Sequence, residues 1–241
     1  MTSFSVVIPT RNRPAFLRTA IESVLKQEWP ARDIIVVDDG TGAAQAVADL
    51  SDRIAVLDNQ QRGPVAARIL GVTASTSDCI AFLDDDDWWT STTYLARAAA
   101  AFEDGADFCF GDGTMAFEDG RNDMPFAFDA DARSLESDNT ILISAVSYRR
   151  LLHSALGPFD EALPYYWDWD WYLRIARAGY DLRRIPHPVT AIRVHAQNMS
   201  GDRLEAERRA NLDAFSRKHG LPPLVLKNHL SLVDGQPPSA T

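Results

Sequence analysis

The sequence predicts an α/β fold: a mostly parallel central sheet flanked by helices, organised as a single domain. Three observations carry that expectation. Short, continuously apolar runs alternate with segments of helical periodicity through the first half of the chain, and strands buried on both faces read as such unbroken runs. Clusters of Asp, Arg and Gly follow those runs, as they do where ligands bind at the carboxyl ends of parallel strands. The chain has 241 residues, 46% hydrophobic and 24% charged, enough for a sizeable core without disulfide staples.

Taken in order, Phe4 to Ile8 is a β-branched run closed by Pro9. Leu17, Ala20, Ile21, Val24 and Leu25 then recur at helical spacing, with Asn12 and Pro14 as start signals. Ile34 to Val37 is a second buried-type strand, ended by the turn Asp38 to Thr41. Ala43 to Leu50 reads as helix, Ile54 to Leu57 as strand, Val65 to Val72 as helix and Cys79 to Leu83 as strand. Beyond these, a helix is expected over Tyr94 to Phe102 and a strand around Phe108. Asp112 to Ser137 is acidic and aperiodic and reads as a long surface excursion. A strand over Thr140 to Ser147 leads into a short helix near Leu151. Asp168 to Ala178 is helical, with Trp169, Tyr172, Leu173 and Ala176 as its core stripe. Val189 to Val194 is a strand, and Leu204 to His219 a final amphipathic helix before a frayed tail.

The net charge of −10 argues against a nucleic-acid partner, which needs basic patches. It leaves room for one nucleotide, whose diphosphate a few arginines and a cation can balance. Cys79 and Cys109 sit inside apolar runs and read as small core residues. There is no apolar stretch long enough to span a bilayer and no leader-like amino terminus. The expected location is cytoplasmic, with no integral membrane segment.

The sharpest chemical signal is Asp84-Asp85-Asp86-Asp87, directly after an apolar strand and followed by Trp88-Trp89. Crowded carboxylates repel one another, so a buried cluster needs a cation; Mn²⁺ or Mg²⁺ suits these hard oxygen ligands. The alternative is a solvated acidic turn. Asp38-Asp39 is either an ordinary Asp/Gly turn or a pair whose carboxylate accepts a bond from a nucleoside. Arg11, Arg13 and Arg68 lie near the same edge and can balance phosphate charge. Trp88, Trp89, Trp167, Trp169 and Trp171, with Tyr165 and Tyr166, gather around the acidic motifs. Such faces suit sugar rings; Trp169 reads as core and Trp167 as acceptor-facing.

Ser5–Arg13 (SVVIPTRNR), Ile35–Thr41 (IVVDDGT), Gly63–Arg68 (GPVAAR) and Phe82–Trp88 (FLDDDDW) resemble the family 2 glycosyltransferases with the GT-A fold. Gly157–Glu161 (GPFDE), Asp168–Arg174 (DWDWYLR) and Arg193–His195 (RVH) fit the second half of that family in order. The resemblance spans roughly residues 4 to 200. It implies transfer of a sugar, with inversion, from a nucleoside diphosphate sugar donor to a hydroxyl-bearing acceptor. It implies that Pro9, Arg11, Arg13 and Asp39 contact the nucleoside, with Asp39 reading the base, while Thr10, Asp38 and Arg68 help hold the donor. Asp84 and Asp85 then belong to donor binding, with Asp85 nearer the ribose, and Asp86 and His195 to the metal. Asp168 matches the general base. Trp167 stands where the family commonly has an acidic residue, which keeps Asp170 as a rival base, and Arg11 stands where an aromatic is frequent.

The chemistry asks for the same parts. A leaving diphosphate needs its charge stabilised, and the incoming hydroxyl needs a base on the opposite face of the sugar. Asp168 appears at a helix start, where the dipole favours its ionised form; it can serve as base or only as a helix cap. The chain divides on this reading into a nucleotide-sugar-binding half (1–95), an acceptor-binding and catalytic-base half (96–225) and a carboxyl-terminal tail (226–241). Two rivals stand beside it. A nucleotidyltransferase making sugar nucleotides needs a glycine-rich loop after the first strand, and Pro9 to Pro14 contains no glycine. A non-catalytic sugar-nucleotide-binding protein has no use for Asp86 and Asp168.

Overall fold

The computed structural model of the protein describes residues 1–194 and 204–234. Its centre is a nine-stranded sheet of order β3-β2-β1-β4-β8-β6-β9-β5, with β7 paired to β6. The first strands are β1 (Phe4–Thr10), β2 (Asp33–Asp38), β3 (Ile54–Asp58) and β4 (Cys79–Phe82). All of their mutual pairings are parallel. Every residue of β1 is buried, as an inner strand covered on both faces demands. Pro9 lies beyond the end of β4, which stops opposite Val7, so its missing N–H falls where that ladder has ended.

Helices cover both faces. α1 (Pro14–Leu25) and α3 (Tyr94–Glu103) bury Leu17, Ile21, Tyr94 and Phe102 against Val6, Ile8, Ile34 and Val36. α2 (Pro64–Ala74) lies on the other face with Val7, Ile35 and Val37. Each large side chain so buried contributes about 1.5–3 kcal/mol. Pro14 and Pro64 both open their helices at the first turn, where a missing N–H is harmless. Gly71 lets α2 approach the sheet: a Cβ there would stand 2.4 Å from Val7 Cγ1.

The second half joins the same sheet in mixed orientation. β8 (Val146–Arg149) is antiparallel to β4 and to β6 (Phe108–Phe117), while β6 runs parallel to β9 (Leu182–Val194). β5 (Trp88–Trp89) caps the far edge and β7 (Met124–Phe126) hangs from β6. α4 (Leu152–Leu156), α5 (Trp167–Arg177) and α6 (Glu205–His219) continue the second face, where Trp171, Tyr172 and Phe215 are buried. α7 (His229–Asp234) ends the described chain.

The α/β class and the flanked sheet are as expected; four local expectations are corrected. Ala43–Leu50 is a 3-10 helix, entered through Gly42 at φ 91°. The excursion read from Asp112 is in its first part strand β6. Gly111 and Gly113 hid it, yet both are required because Cβ atoms there would meet Val189 at 2.3 Å and Leu142 at 2.5 Å. Asp112 is buried in that strand because the Arg184 guanidinium donates to both of its oxygens, at 2.7 and 3.0 Å. The strand expected over Thr140 to Ser147 is a 3-10 turn at Ile143–Ala145 followed by β8. The segment read as tail from 226 carries α7, whose Leu230, Leu232 and Val233 pack against the first core. Cys79 and Cys109 are free and buried, and burial pushes both thiols up to about 12. Among the described residues no helix is long and apolar enough to cross a membrane.

Candidate active site

β1 and β2 run in register to Thr10 and Asp38, so the residues that follow them emerge side by side. β4 delivers Leu83 and the acidic turn to the same edge. There the chain encloses a cleft of ≈ 540 Å³, within the usual range for a ligand site. Pro9, Thr10, Arg11, Arg13, Asp39, Arg68, Asp84, Asp85, Asp86 and Asp168 all line it.

One of the sequence-based site residues that the structure describes is not in this cleft. Asp38 does not line it: its carboxylate accepts from Gly40 N–H at 2.7 Å and Ala44 N–H at 3.1 Å. It ties the turn to the 3-10 helix and stands outside the cleft that the donor-binding expectation called for. His195 lies outside the described residues.

The acidic turn is neutralised from within. Arg13 Nη1 bonds Asp86 Oδ2 at 2.7 Å and reaches Asp85 Oδ1 at 3.4 Å. Thr10 donates its hydroxyl to Asp85 Oδ2 at 2.6 Å, and Arg68 Nη2 pairs with Asp84 Oδ1. Ser144 donates to Asp87 Oδ2 at 2.5 Å, and Arg193 N–H to Asp87 Oδ1 at 3.0 Å. Even so, burial pushes Asp85 up to about 6, with Asp86 adding repulsion. Burial also raises Asp84 and Asp87, the latter with help from the Asp86 and Asp84 charges. Carboxylate oxygens of Asp84, Asp86 and Asp87 lie within 4.8 Å of one another. Asp87 joins this group as a member of the acidic run, although the resemblance singled out Asp86 alone for the metal.

Asp39 holds the neighbouring loops. Its Oδ1 accepts from Asn59 Nδ2 at 2.5 Å and Gly63 N–H at 2.9 Å, so Oδ2 remains for a ligand. The Gly63 bond fixes the entry to α2 and hence the position of Arg68. The Arg68 guanidinium also lies over the Trp167 ring, 4.7 Å from its centroid.

Asp168 and Asp170 stand two residues apart on α5 and have opposite surroundings. Asp168 is in the first turn, preceded by Tyr166 at the cap position, and no side-chain bond caps the helix. The cap reading is thereby corrected. Its Oδ2 accepts from Asn139 Nδ2 at 2.9 Å. Burial pushes the carboxyl up to about 6 against the pull of Asn139 and the helical N–H groups. Desolvation therefore outweighs the helix end, the reverse of the sequence-based expectation. Asp170 is 0% exposed and outside the cleft lining. It meets Arg174 Nε at 2.9 Å, Lys218 Nζ at 2.6 Å and His219 Nε2 at 2.8 Å. Burial pushes Asp170 up, but the bonds from His219 and Lys218 and the Arg174 charge overcome it and hold the carboxyl low.

Asn139, Ser144, Arg208 and Lys227 also line the cleft and were not foreseen. None lies in a motif, and the chain around Asn139 is aperiodic.

A mixed α/β domain with an acidic turn at a strand end and a separate buried carboxylate in the same cleft defines a sugar-transferring class of enzyme. Residues 5–151 match the profile of Glycosyl transferase family 2, and the chain belongs to that family. It is 35% identical over 242 residues to YwdF, an uncharacterized glycosyltransferase of Bacillus subtilis (strain 168), covering 95% of this chain and 89% of the relative. It is 30% identical over 196 residues to a PGL/p-HBAD biosynthesis glycosyltransferase of Mycobacterium bovis (strain BCG / Pasteur 1173P2), covering 78% and 75%. Among solved structures it resembles S. aureus TarS 1–349 in complex with UDP-GlcNAc, with TM-score 0.71 and 18% identity, over 90% of this chain and 66% of that one. It also resembles the mannosyltransferase PcManGT from Pyrobaculum calidifontis in complex with GDP-Man and Mn²⁺, with TM-score 0.67 and 18% identity, over 91% and 66%. At these identities the structural likeness establishes the GT-A-type fold.

Proposed function

We propose that the protein transfers a glycosyl group, with inversion, from a nucleoside diphosphate sugar to an acceptor hydroxyl, with Asp168 as general base. The observation that carries the reading is the placement of Asp168. It is a carboxylate that lines the same cleft as the acidic turn but comes from a different element, α5, and it is raised to about 6 by burial and so basic enough to take a proton near neutral pH. In the reaction the acceptor oxygen forms a bond to the anomeric carbon as the bond to the diphosphate breaks. The electron pair leaves with the nucleoside diphosphate, and the hydroxyl proton passes to Asp168. Asn139 holds Oδ2, which leaves Oδ1 for that proton. Attack from the face opposite the leaving group inverts the anomeric centre.

On this reading Asp39 Oδ2 meets the base, and Arg11, Arg13 and Arg68 meet the phosphates. The residues present fit a divalent cation. Asp84, Asp86 and Asp87 offer clustered oxygens, and burial has raised Asp84 and Asp87, which a cation relieves. Bound there, Mn²⁺ or Mg²⁺ would stabilise charge on the departing diphosphate. The donor half over 1–95 and the acceptor half over 96–225 carry over into this proposal. Residues 226–234 join the acceptor half, because Lys227, Asn228, His229 and Leu232 line the cleft. The two free thiols support the cytoplasmic location.

A thermal-shift panel of UDP- and GDP-sugars with and without Mn²⁺ tests this, since a ligand that binds only the native state raises the melting temperature. One nucleotide class should stabilise the protein in the presence of Mn²⁺, and slow hydrolysis of that donor should follow. Absence of stabilisation by every nucleotide would overturn the proposal.

A further inference from the structure

Asn12 reads in the sequence as a start signal for α1, and the structure uses it for something else. The cap position of that helix is Arg13, and no side-chain bond caps it. Asn12 takes a left-handed backbone, φ 58°, a strained conformation that persists where the surroundings hold it. Its Oδ1 accepts from Thr41 N–H at 2.9 Å and from the Thr41 hydroxyl at 3.0 Å. Gly40 makes room for that contact, because a Cβ there would stand 2.3 Å from the same Oδ1.

Thr41 belongs to the segment after β2 that carries Asp39. Asp39 lines the main cleft, whereas Gly40 and Thr41 line a second depression together with Gln45, Asp58 and Gln60. The segment is thus a partition with a hollow on either side. At Gly40 and Thr41 polar bonds rather than packed side chains hold it. The β1 loop grips it before and after Asp39's side chain: Asp39 N–H donates to Thr10 O at 2.8 Å, and Asn12 takes Thr41. Asp39 Oδ1 already accepts from Asn59 and Gly63, so the placing of this segment is what aims Oδ2. Asn12 itself is absent from the lining of both hollows.

We infer that Asn12 is a positioning residue for the nucleoside end of the donor site. It sets the separation of the β1 and β2 loops and thereby aims Asp39 Oδ2 at the base. The inference rests on the glycosyltransferase reading above, in which Asp39 meets the base, and adds to it a residue that touches no substrate. The Asn12–Thr41 contact is exposed, so water competes for it and its loss costs little folding stability. What it fixes is position.

The test uses the full chain, with calorimetric titrations of UDP, GDP and inorganic pyrophosphate in the presence of Mn²⁺. Asn12→Gly keeps the left-handed backbone accessible and removes the acceptor atom. For whichever nucleotide binds the wild type, it should raise the dissociation constant at least about tenfold, within what a small misplacement from a remote support costs. Pyrophosphate affinity and the melting temperature of the unliganded protein should stay near wild type. In donor hydrolysis KM should rise with kcat unchanged. Thr41→Val removes one of the two bonds without altering residue 12 and should give an intermediate loss, while Thr41→Ser keeps both and should match the wild type. Adding Asn12→Gly to Asp39→Ala should cost almost nothing more, because the residue acts through Asp39. Unchanged nucleotide affinity in Asn12→Gly, an equal loss for pyrophosphate, or a full further loss in the Asp39→Ala background would overturn the inference while the donor reading survives. A wild type that binds neither nucleotide overturns both.

Discussion

The acidic turn after β4 and the first turn of α5 both concentrate carboxylates, and they treat them in opposite ways. A tight turn points consecutive side chains into one space, so Asp84, Asp86 and Asp87 converge and are met by Arg68, Arg13 and the Ser144 hydroxyl respectively. A helix rotates about 200° over two residues, so Asp168 and Asp170 part company. One faces the cleft with a single amide partner; the other faces the packed interior with Arg174, Lys218 and His219 as partners. Spacing alone therefore says little about whether neighbouring acids act together. The local backbone decides it.

The largest effect that sharpens this contrast is on turnover. Asp168→Asn should lower the transfer rate roughly 10²–10⁴-fold, the usual contribution of general-base catalysis, while the dissociation constant of the donor stays near wild type. A collapse of turnover in Asp170→Asn, with Asp168→Asn near wild type, would reverse the assignment of the two carboxylates.

Next comes the turn. Asp86→Ala should weaken Mn²⁺-dependent binding of a nucleoside diphosphate, read by calorimetry. The loss should be at least the roughly 10–100-fold that follows from removing a ligand's supporting partner. Equal Mn²⁺ dependence in mutant and wild type would take Asp86 out of the cation site.

Asp170 makes the complementary prediction, in stability rather than rate. Asp170→Asn should lower unfolding free energy by about 2–3 kcal/mol, the worth of hydrogen bonds to a charged group, with turnover changed only a few-fold. Its carboxyl is held low in the folded protein. The contribution is therefore present above the ordinary carboxylate range and lost as pH falls through the folded value. Denaturant melts of both proteins across that range check the sign.

The smallest effect is in the pH profile. Asp168 must be ionised to accept a proton, so kcat should fall as pH drops through about 6 and be level above it. Asn139→Leu removes a bond that favours the ionised form and should move that midpoint upward. A midpoint that stays in place would leave Asn139 as packing alone. The same burial implies that Asp168→Asn is the more stable protein at pH 8. The difference should vanish below the ordinary 3.8, where the wild-type carboxyl is protonated in both states.

The parallel half was legible because its strands are buried on both faces and leave unbroken apolar runs; Val6 to Ile8, Ile34 to Val37 and Cys79 to Phe82 all form strands. The second half was less so. Gly111, Asp112 and Gly113 have the composition of a loop, and only the close approach of Val189 and Leu142 and the reach of Arg184 explain them as strand. Trp88 and Trp89 are too few to signal β5, and α7 was hidden in tail-like composition. At the site, Pro9, Thr10, Arg11, Arg13, Asp39, Arg68, Asp84, Asp85 and Asp86 gather around one cleft, because strand ends collect whatever follows or packs beside them, and Asp168 reaches the same cleft from α5. Asp38 stands outside that lining, because one turn offers a carboxylate to its own backbone as readily as to a ligand. Asn139 had no local signal, since only tertiary folding brings it to Asp168.

The buried Asp170 has a mechanical meaning as well. It locks α5 to the carboxyl end of α6 through Lys218 and His219, and α6 supplies Arg208 and Leu212 to the cleft. Arg208 in turn grips the carbonyl of Lys227, in the strap that continues into α7. One helix thus carries Asp168 on its cleft side and, two residues later, the rivet that holds α6. The span between that carboxylate and the side chains α6 lends to the cleft is consequently a fixed gauge of the fold, set before any molecule enters.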